Sequence, residues 1–357
     1  MRIWEEILQR KEKGVSLSFV LSILWLISQG WRLWVFVKNG LYNKKLLSSQ
    51  KVGPFVISVG NIVLGGTGKT PFVDLLTKAF DPKEIAILSR GYKSLNENHH
   101  LFVDPSQFLP SSKEMGDEPY LLAKKNSKTF FFIGKDRIFS AIEAEKRKRK
   151  ILILDDGFQY RKLVRDIDIV LLQGEAVFGN GYFVPRGMLR DSPSRLKNAD
   201  VVVVNEGEKG LDREGIRKEL RKYTECLILF VRPKLCGFRD LSGNEVKIGK
   251  EIPITLFCAI ANPSRFVSLI KEEGYAVTKT FFRRDHETFS LQEMKDFYSQ
   301  TKDAYLVCTE KDAVKISLCE IPILYAEMAL SFVEGEKDWM SWVRGVKKRV
   351  FFPNKEL

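Results

Sequence analysis

Two groups of residues have types and spacing that suit chemistry. Gly65-Gly66-Thr67-Gly68-Lys69-Thr70 follows an apolar run, Phe55–Val59, and precedes an apolar-periodic stretch of helical length, Pro71–Phe80. Glycines let the backbone turn tightly enough for successive N–H groups and a helix N-terminus to face a polyphosphate. Lys69 then reaches the outer phosphates, and the Thr70 hydroxyl suits Mg²⁺. The strict spacing GxxxxGK[ST] would place glycine where Val63 stands, so the loop is a variant. The second group is Asp155-Asp156, at the end of the apolar run Ile151–Leu154. A carboxylate leaving a buried strand beside a phosphate loop is placed to serve a nucleotide-bound Mg²⁺. Two adjacent carboxylates repel unless a cation compensates. The plainer reading is a pair of solvated turn aspartates ahead of Gly157.

Two further signals are weaker. Asp117 and Glu118, in Gly116-Asp117-Glu118-Pro119, are a carboxylate pair before a helix and, taken alone, more often an N-terminal cap. Asp285-His286 stands out because the chain has three histidines and the others, His99 and His100, fall in a polar loop. A histidine beside an aspartate can orient a general base.

Strands and helices must hold these groups. Short runs rich in β-branched and aromatic residues recur at Phe55–Val59, Ile85–Leu88, Thr129–Ile133, Ile151–Leu154, Ile167–Leu172, Val201–Val204 and Leu227–Val231, with helical-length segments between them. Continuous apolar runs suit strands buried on both faces, so the expected fold is α/β, a doubly wound, mostly parallel sheet of phosphate-loop type. Near Pro233 the rhythm breaks into a hairpin-like stretch turning at Ser242-Gly243-Asn244. A smaller α/β set comes next, with strands at Ile254–Ile260, Val277–Phe282 and Ala304–Cys308 and helices at Pro263–Glu273 and Leu291–Ser299. The expected division is an amphipathic segment 1–50, a phosphate-loop core 51–232, a hairpin-like linker 233–252 and a smaller C-terminal α/β domain 253–357.

With 357 residues, 44% hydrophobic and 29% charged, the chain can bury a real core, which excludes global disorder. The net charge of +13 points to anionic partners. Residues 1–51 hold nine basic and three acidic residues, so nearly half the surplus sits there. They contain Val15–Val37, in which Ser18, Ser22, Gln29 and Arg32 fall on one helical stripe with Trp25 between them. The remaining circumference is nearly all Leu, Ile, Val, Phe and Trp. Such a helix suits insertion into a membrane interface more than a full span or packing on its own protein. Lys38, Lys44, Lys45 and Lys51 favour a cytoplasmic face for the chain beyond the helix. Cys226, Cys236, Cys258, Cys308 and Cys319 have neither CxxC spacing nor neighbouring histidines and read as reduced core cysteines.

In this order the stretches VGNIVLGGTGKTP (59–71), LSRGYK (88–93), GDEP (116–119), GKDR (134–137), LDDGFQ (154–159), FGNGYFVPRGMLRD (178–191), DHETF (285–289) and TEKD (309–312) resemble the tetraacyldisaccharide 4'-kinase family, of the lipid A pathway of Gram-negative bacteria. The resemblance implies ATP-dependent phosphorylation of the 4'-hydroxyl of a tetraacylated disaccharide 1-phosphate, giving lipid IVA at the cytoplasmic face of the inner membrane. It implies that Val63, Leu64, Gly65, Gly66, Thr67, Gly68, Lys69 and Thr70 cradle the ATP phosphates and that Thr70, Asp155 and Asp156 serve Mg²⁺. Asp117 would take the proton from the sugar hydroxyl, with His286 orienting it; Lys69 and Asp156 complete the catalytic set. Arg90, Arg137 and Arg190 would meet substrate phosphate and developing charge, and Asp191 would belong to the substrate-binding set. Because Asp117 and His286 are far apart in sequence and assigned to different lobes, domain closure is expected. Two positions depart from the family pattern: Tyr160 where histidine is usual, and Asp191 where glutamate is usual. The rival class is a nucleotide switch or nucleic-acid-binding ATPase. Asn205-Glu206-Gly207-Glu208 lacks the guanine-selecting Asn-Lys-x-Asp, and base-stacking motifs are not evident, so neither nucleic acid nor an obligate protein partner is expected.

Overall fold

A computed structural model describes residues 15–207, 210–285, 287–301, 305–316 and 321–352. Among these, the strands run in chain order as β1 (Phe55–Gly60), β2 (Ile85–Ser89), β3 (Leu101–Val103), β4 (Phe130–Ile133), β5 (Ile151–Asp155), β6 (Ile167–Gln173), β7 (Val201–Asn205), β8 (Leu227–Asp240), β9 (Glu245–Val246), β10 (Ile254–Cys258), β11 (Val277–Phe282), β12 (Tyr305–Thr309) and β13 (Ile323–Glu334). The chain forms two compact units. The first comprises Met1–Lys69, Arg137–Val231 and Phe332–Leu357, the second Thr70–Asp136 and Arg232–Ser331. This division cuts the chain differently from the expected linear succession of domains. Parallel strands need long crossovers, so spatial neighbours are not chain neighbours.

In the first unit β1 lies between β5 and β6, β6 pairs with β7, and β7 with the first half of β8, all parallel. Ile57, Val59, Leu152, Val170 and Val203 are fully buried, as expected of a sheet covered on both faces. The glycine-rich turn, Asp155-Asp156 and the segment carrying Arg190 lie at or beyond the carboxyl ends of β1, β5 and β6. In the second unit β2, β4 and β3 pair together, with β3 antiparallel, and β11, β10, β12 and β13 pair in parallel. The hairpin expected near Ser242-Gly243-Asn244 is the antiparallel pair of β8 and β9.

The expected strands are all present. Missed were the three-residue β3, the long β13 and the helix Glu336–Phe351. β13 is mostly half-buried and carries Glu327 and Ser331, which break its apolar run. Cys258 and Cys308 are buried, but Cys236 is exposed, so the core reading of the cysteines fails there; Cys319 lies outside the described residues.

The N-terminal apolar stretch is one helix, Val15–Asn43. Lys45 closes it in the left-handed region (φ 57), where the Leu46 N–H reaches the Leu41 carbonyl (2.9 Å) and the Lys45 N–H that of Tyr42 (3.1 Å). Its buried stripe is Leu24, Ser28 and Val35, continued by half-buried Lys38, Asn39 and Tyr42. The stripe expected to be polar lies beside this one: Ser18, Ser22, Trp25 and Arg32 are exposed. Ser28 is tolerated in the docked stripe because its hydroxyl donates to the Trp25 carbonyl (2.7 Å). Most of the apolar circumference stays exposed, and from Ser18 to Asn43 the helix is long and apolar enough to cross a membrane.

Candidate active site

The glycine-rich turn connects β1 to the helix Lys69–Thr77. Side chains fix its peptide planes: Gln173 Nε2 donates to the Gly66 carbonyl (2.9 Å) and Asn205 Nδ2 to that of Thr67 (3.1 Å). A trans peptide points its N–H opposite its carbonyl, so the Gly68 N–H is aimed away from Asn205. Gly68 is obligatory: its φ is +86°, and a Cβ there would lie 2.3 Å from Asn205 Nδ2. On the strand side Leu64 N–H donates to the Met188 carbonyl (2.7 Å), and Val63 forms a bridge with Leu189. The segment 188–191 thus braces the loop from behind. Thr70, next to Lys69 in the chain, is half-buried.

Asp155 and Asp156 end β5, and their environments differ. Asp155 is buried. Asp156 adopts φ 51, a left-handed conformation uncommon for a non-glycine residue, and its side chain is 37% exposed. Lys69 Nζ lies 3.6 Å from Asp156 Oδ1, and Arg190 grips both carboxylate oxygens through Nη1 and Nη2 at 3.1 and 3.2 Å. The repulsion expected between the paired aspartates is therefore relieved by two of the protein's own cations. Burial pushes the Asp156 carboxyl up, but Lys69 and Arg190 outweigh it and hold the carboxyl below its ordinary range. Asn61 joins this cluster to the loop, accepting from Arg190 Nη1 (3.0 Å) and donating to Thr67 Oγ1 (3.2 Å).

The four residues expected on the substrate divide. Arg137 is buried in the first unit and adds its positive field to Asp156. Its backbone N–H donates to the Tyr160 hydroxyl (3.1 Å), which gives Tyr160 a structural task at the start of the helix Arg137–Lys146. Arg190 is at Asp156. Arg90 belongs to the second unit, where its Nε meets Glu97 Oε1 at 2.6 Å. Asp191 is 3% exposed and turned inward, accepting from Asn39 Nδ2 (3.0 Å) and the Ser192 N–H (2.9 Å) and lying 3.6 Å from Arg195 Nε. A carboxylate so enclosed is tied to its own loop and to the N-terminal helix.

The second unit gathers the other carboxylates. Asp117 and Glu118 open the helix Asp117–Lys125, whose N-cap is Gly116 rather than either acid. Asp117 Oδ2 lies 3.4 Å from Lys315 Nζ. Lys311 Nζ lies 3.7 Å from Glu118 Oε1 and 3.1 Å from Asp285 Oδ1. Burial pushes the Lys311 ammonium down, yet Glu118 and Asp285 prevail and raise it above its ordinary value. The neighbours of Lys311 fix it. Glu310 pairs with Lys125 (2.7 Å), and buried Asp312 accepts from the Thr309 hydroxyl (2.7 Å) and the Ala259 N–H (3.1 Å). His286 lies outside the described residues, but Asp285 and Glu287 flank it, and Lys315 Nζ reaches the Glu287 carbonyl (3.4 Å). GDEP and DHETF were expected in different lobes; they share one unit and meet through Lys311 and Lys315. Domain closure is not needed to unite them. Sequence reasoning gave Lys311, Lys315, Asn61 and Asn205 no role: Lys311 and Asn61 lie inside quoted motifs, but their partners are remote in the chain.

A family model described as tetraacyldisaccharide-1-P 4'-kinase matches residues 20–346. The chain is 38% identical over 295 residues to the tetraacyldisaccharide 4'-kinase of Chlamydia abortus, covering 79% of this chain and 78% of that protein. To the one of Chlamydia pneumoniae it is 33% identical over 332 residues, 89% of each. A crystal structure of LpxK from Aquifex aeolicus in complex with ATP superposes with a TM-score of 0.75 at 27% identity, covering 92% of this chain and 99% of that one.

Proposed function

The chain belongs to the tetraacyldisaccharide-1-P 4'-kinase family, and we propose how its residues divide the transfer of the ATP γ-phosphate to the 4'-hydroxyl of the lipid disaccharide. The activity itself is that of an ATP-dependent 4'-kinase in lipid A biosynthesis. The cluster of Lys69, Asp156 and Arg190 beside the Gly65–Gly68 turn supports the reading: two cations and a carboxylate stand together next to a loop suited to phosphates.

Phosphoryl transfer asks mainly for positioning and charge neutralisation. The backbone from Val63 to Thr70 cradles the phosphates. Lys69 leaves Asp156 for the outer phosphates, and Arg190, held by Asp156 and Asn61, meets the charge that develops there; Arg137 adds to the field from below. Asp117 accepts the proton of the attacking hydroxyl, with His286 orienting it and Lys315 beside it at 3.4 Å. Lys311 pairs with Glu118 and Asp285 and so offsets the negative charge gathered beside Asp117. Mg²⁺ would be held by the Thr70 hydroxyl and the Asp155 carboxylate, with Asp156 at its water shell. These are hard oxygen donors, and Mg²⁺ commonly takes one or two carboxylates plus phosphate oxygens. When bound, the ion shields the phosphate charge. The exposed apolar face of the N-terminal helix lies in the cytoplasmic face of the inner membrane, where a lipid substrate keeps its acyl chains.

The test is transfer from γ-labelled ATP to a tetraacyldisaccharide 1-phosphate in mixed micelles. Wild type should label the lipid, and Asp117→Ala should lose about 10²-fold or more in kcat, the scale of general-base catalysis. Full labelling by the variant would remove Asp117 as base; no labelled lipid from folded, ATP-binding wild type would remove the assignment of residues altogether.

A further inference from the structure

The segment that carries Arg190 is held on two sides. On one side the Arg190 and Asp191 N–H groups reach the Ile62 carbonyl at 2.8 and 3.3 Å, fixing the segment against the start of the phosphate loop. On the other side stands the N-terminal helix. Trp31 Nε1 donates to the Arg190 carbonyl (3.4 Å), and two turns later Asn39 Nδ2 donates to Asp191 Oδ1 (3.0 Å). Arg161 fastens the helix from below, its Nη1 at 3.1 Å from the Asn39 carbonyl and 3.4 Å from Asn39 Oδ1, its Nη2 at 2.9 Å from Asn43 Oδ1. The ring of Tyr42 lies 4.9 Å from the Arg161 guanidinium.

Asn39 is chemically specific at this spot. Its amide meets a guanidinium with its oxygen and a buried carboxylate with its nitrogen, which a carboxylate or an ammonium cannot do at once. Trp31, on the same helix, is 40% exposed among the apolar residues that face outward. One helix therefore touches solvent or lipid with one face and the backbone and neighbour of Arg190 with the other.

We propose that Asn39 is a positioning residue for the phosphoryl transfer: by holding Asp191 it sets Arg190 against Asp156 and the phosphate loop, and so couples that arginine to the seating of the membrane-facing helix. The proposal rests on the kinase reading. Removing the amide should leave the fold intact, because Asp191 keeps Arg195 and the Ser192 N–H. The loss should appear in the chemical step.

The experiment uses the full chain, labelled ATP, and tetraacyldisaccharide 1-phosphate in anionic phospholipid vesicles. Asn39→Ala should lower kcat about 10-fold, the rate equivalent of one charge-assisted hydrogen bond. The KM for ATP and vesicle co-sedimentation should stay within about 2-fold of wild type. Asn43→Ala takes a hydrogen bond from the same helix and the same Arg161 but not from Asp191, and should leave kcat unchanged. In an Arg190→Lys background the further loss from Asn39→Ala should shrink to under about 2-fold, since the two residues then act in series. Equal losses in Asn39→Ala and Asn43→Ala would reduce Asn39 to an anchor and overturn the proposal; that contrast decides even where Arg190→Lys is too slow to follow. Undiminished kcat in Asn39→Ala, or the same loss with and without Arg190, would overturn it too. Wild type that labels no lipid would sink the kinase reading itself, and this proposal with it.

Discussion

At the scale of single residues, Asp156 concentrates the electrostatics of the site. Burial raises its carboxyl, but Lys69 and Arg190 more than offset this and leave the folded-state pKa below the ordinary value. A carboxyl depressed on folding stabilises the native state above its unfolded pKa, about 3.9, and loses that contribution as the pH falls through the lower folded value. In nucleotide-free protein, Asp156→Asn should therefore unfold at lower urea than wild type at pH 7, with the gap narrowing below about pH 4. A gap of the same size at pH 3 would mean that the pairs with Lys69 and Arg190 contribute nothing to stability. Tyr160 shows the same scale differently. Where the family usually has histidine, its hydroxyl seats the Arg137 backbone, a hydrogen-bonding task that needs no imidazole at neutral pH.

At the scale of elements, the phosphate loop depends on β7 as much as on its own glycines. Asn205, the last residue of β7, holds the Thr67 carbonyl, and its amide occupies the space that a side chain on Gly68 would need. Gly68→Ala must move Asn205 and also strain a residue at φ +86°. Its affinity for a fluorescent ATP analogue should fall about 10-fold or more, with a lowered Tm. Gly66→Ala meets nothing within 4 Å and should melt like wild type. If Gly68→Ala binds the analogue normally, the brace from Asn205 is not what shapes the loop. The TEKD stretch is a second such device. Its Thr309, Glu310 and Asp312 are each tied to the surrounding unit, and the result is one lysine held between Glu118 and Asp285.

For the molecule as a whole, the surplus of +13 and the exposed apolar helix are both compatible with the membrane association proposed above, since anionic lipid suits positive charge and an apolar face. Leu26, Leu33 and Phe36 are each more than 60% exposed, on the side of the helix away from buried Leu24 and Val35. Changing all three to glutamate should lower binding to anionic vesicles at least about 10-fold, because apolar burial is lost and like charge is added. Tm and ATP affinity should hold, since all three side chains are mostly exposed. Vesicle binding equal to wild type would assign membrane attachment to some other surface.

Much of this protein was legible along its sequence. The strands, the glycine-rich turn, Asp155-Asp156 at a strand end and the apolar helix all arise from periodicity and residue type over a few neighbours, where backbone preference and burial act locally. Tertiary structure alone decided which charges meet. Asp156 reaches Arg190 across 34 residues and Asn39 reaches Asp191 across 152. Asp117 and Asp285 are joined through Lys315 and Lys311, lysines whose partners no local pattern reveals. It also tied buried Asp191 to its own loop and to the N-terminal helix, and gave the helix a docked stripe beside the expected one. Ion pairs and close packing depend on distances of a few ångströms between chain segments remote in sequence, and only the strand crossovers fix those distances.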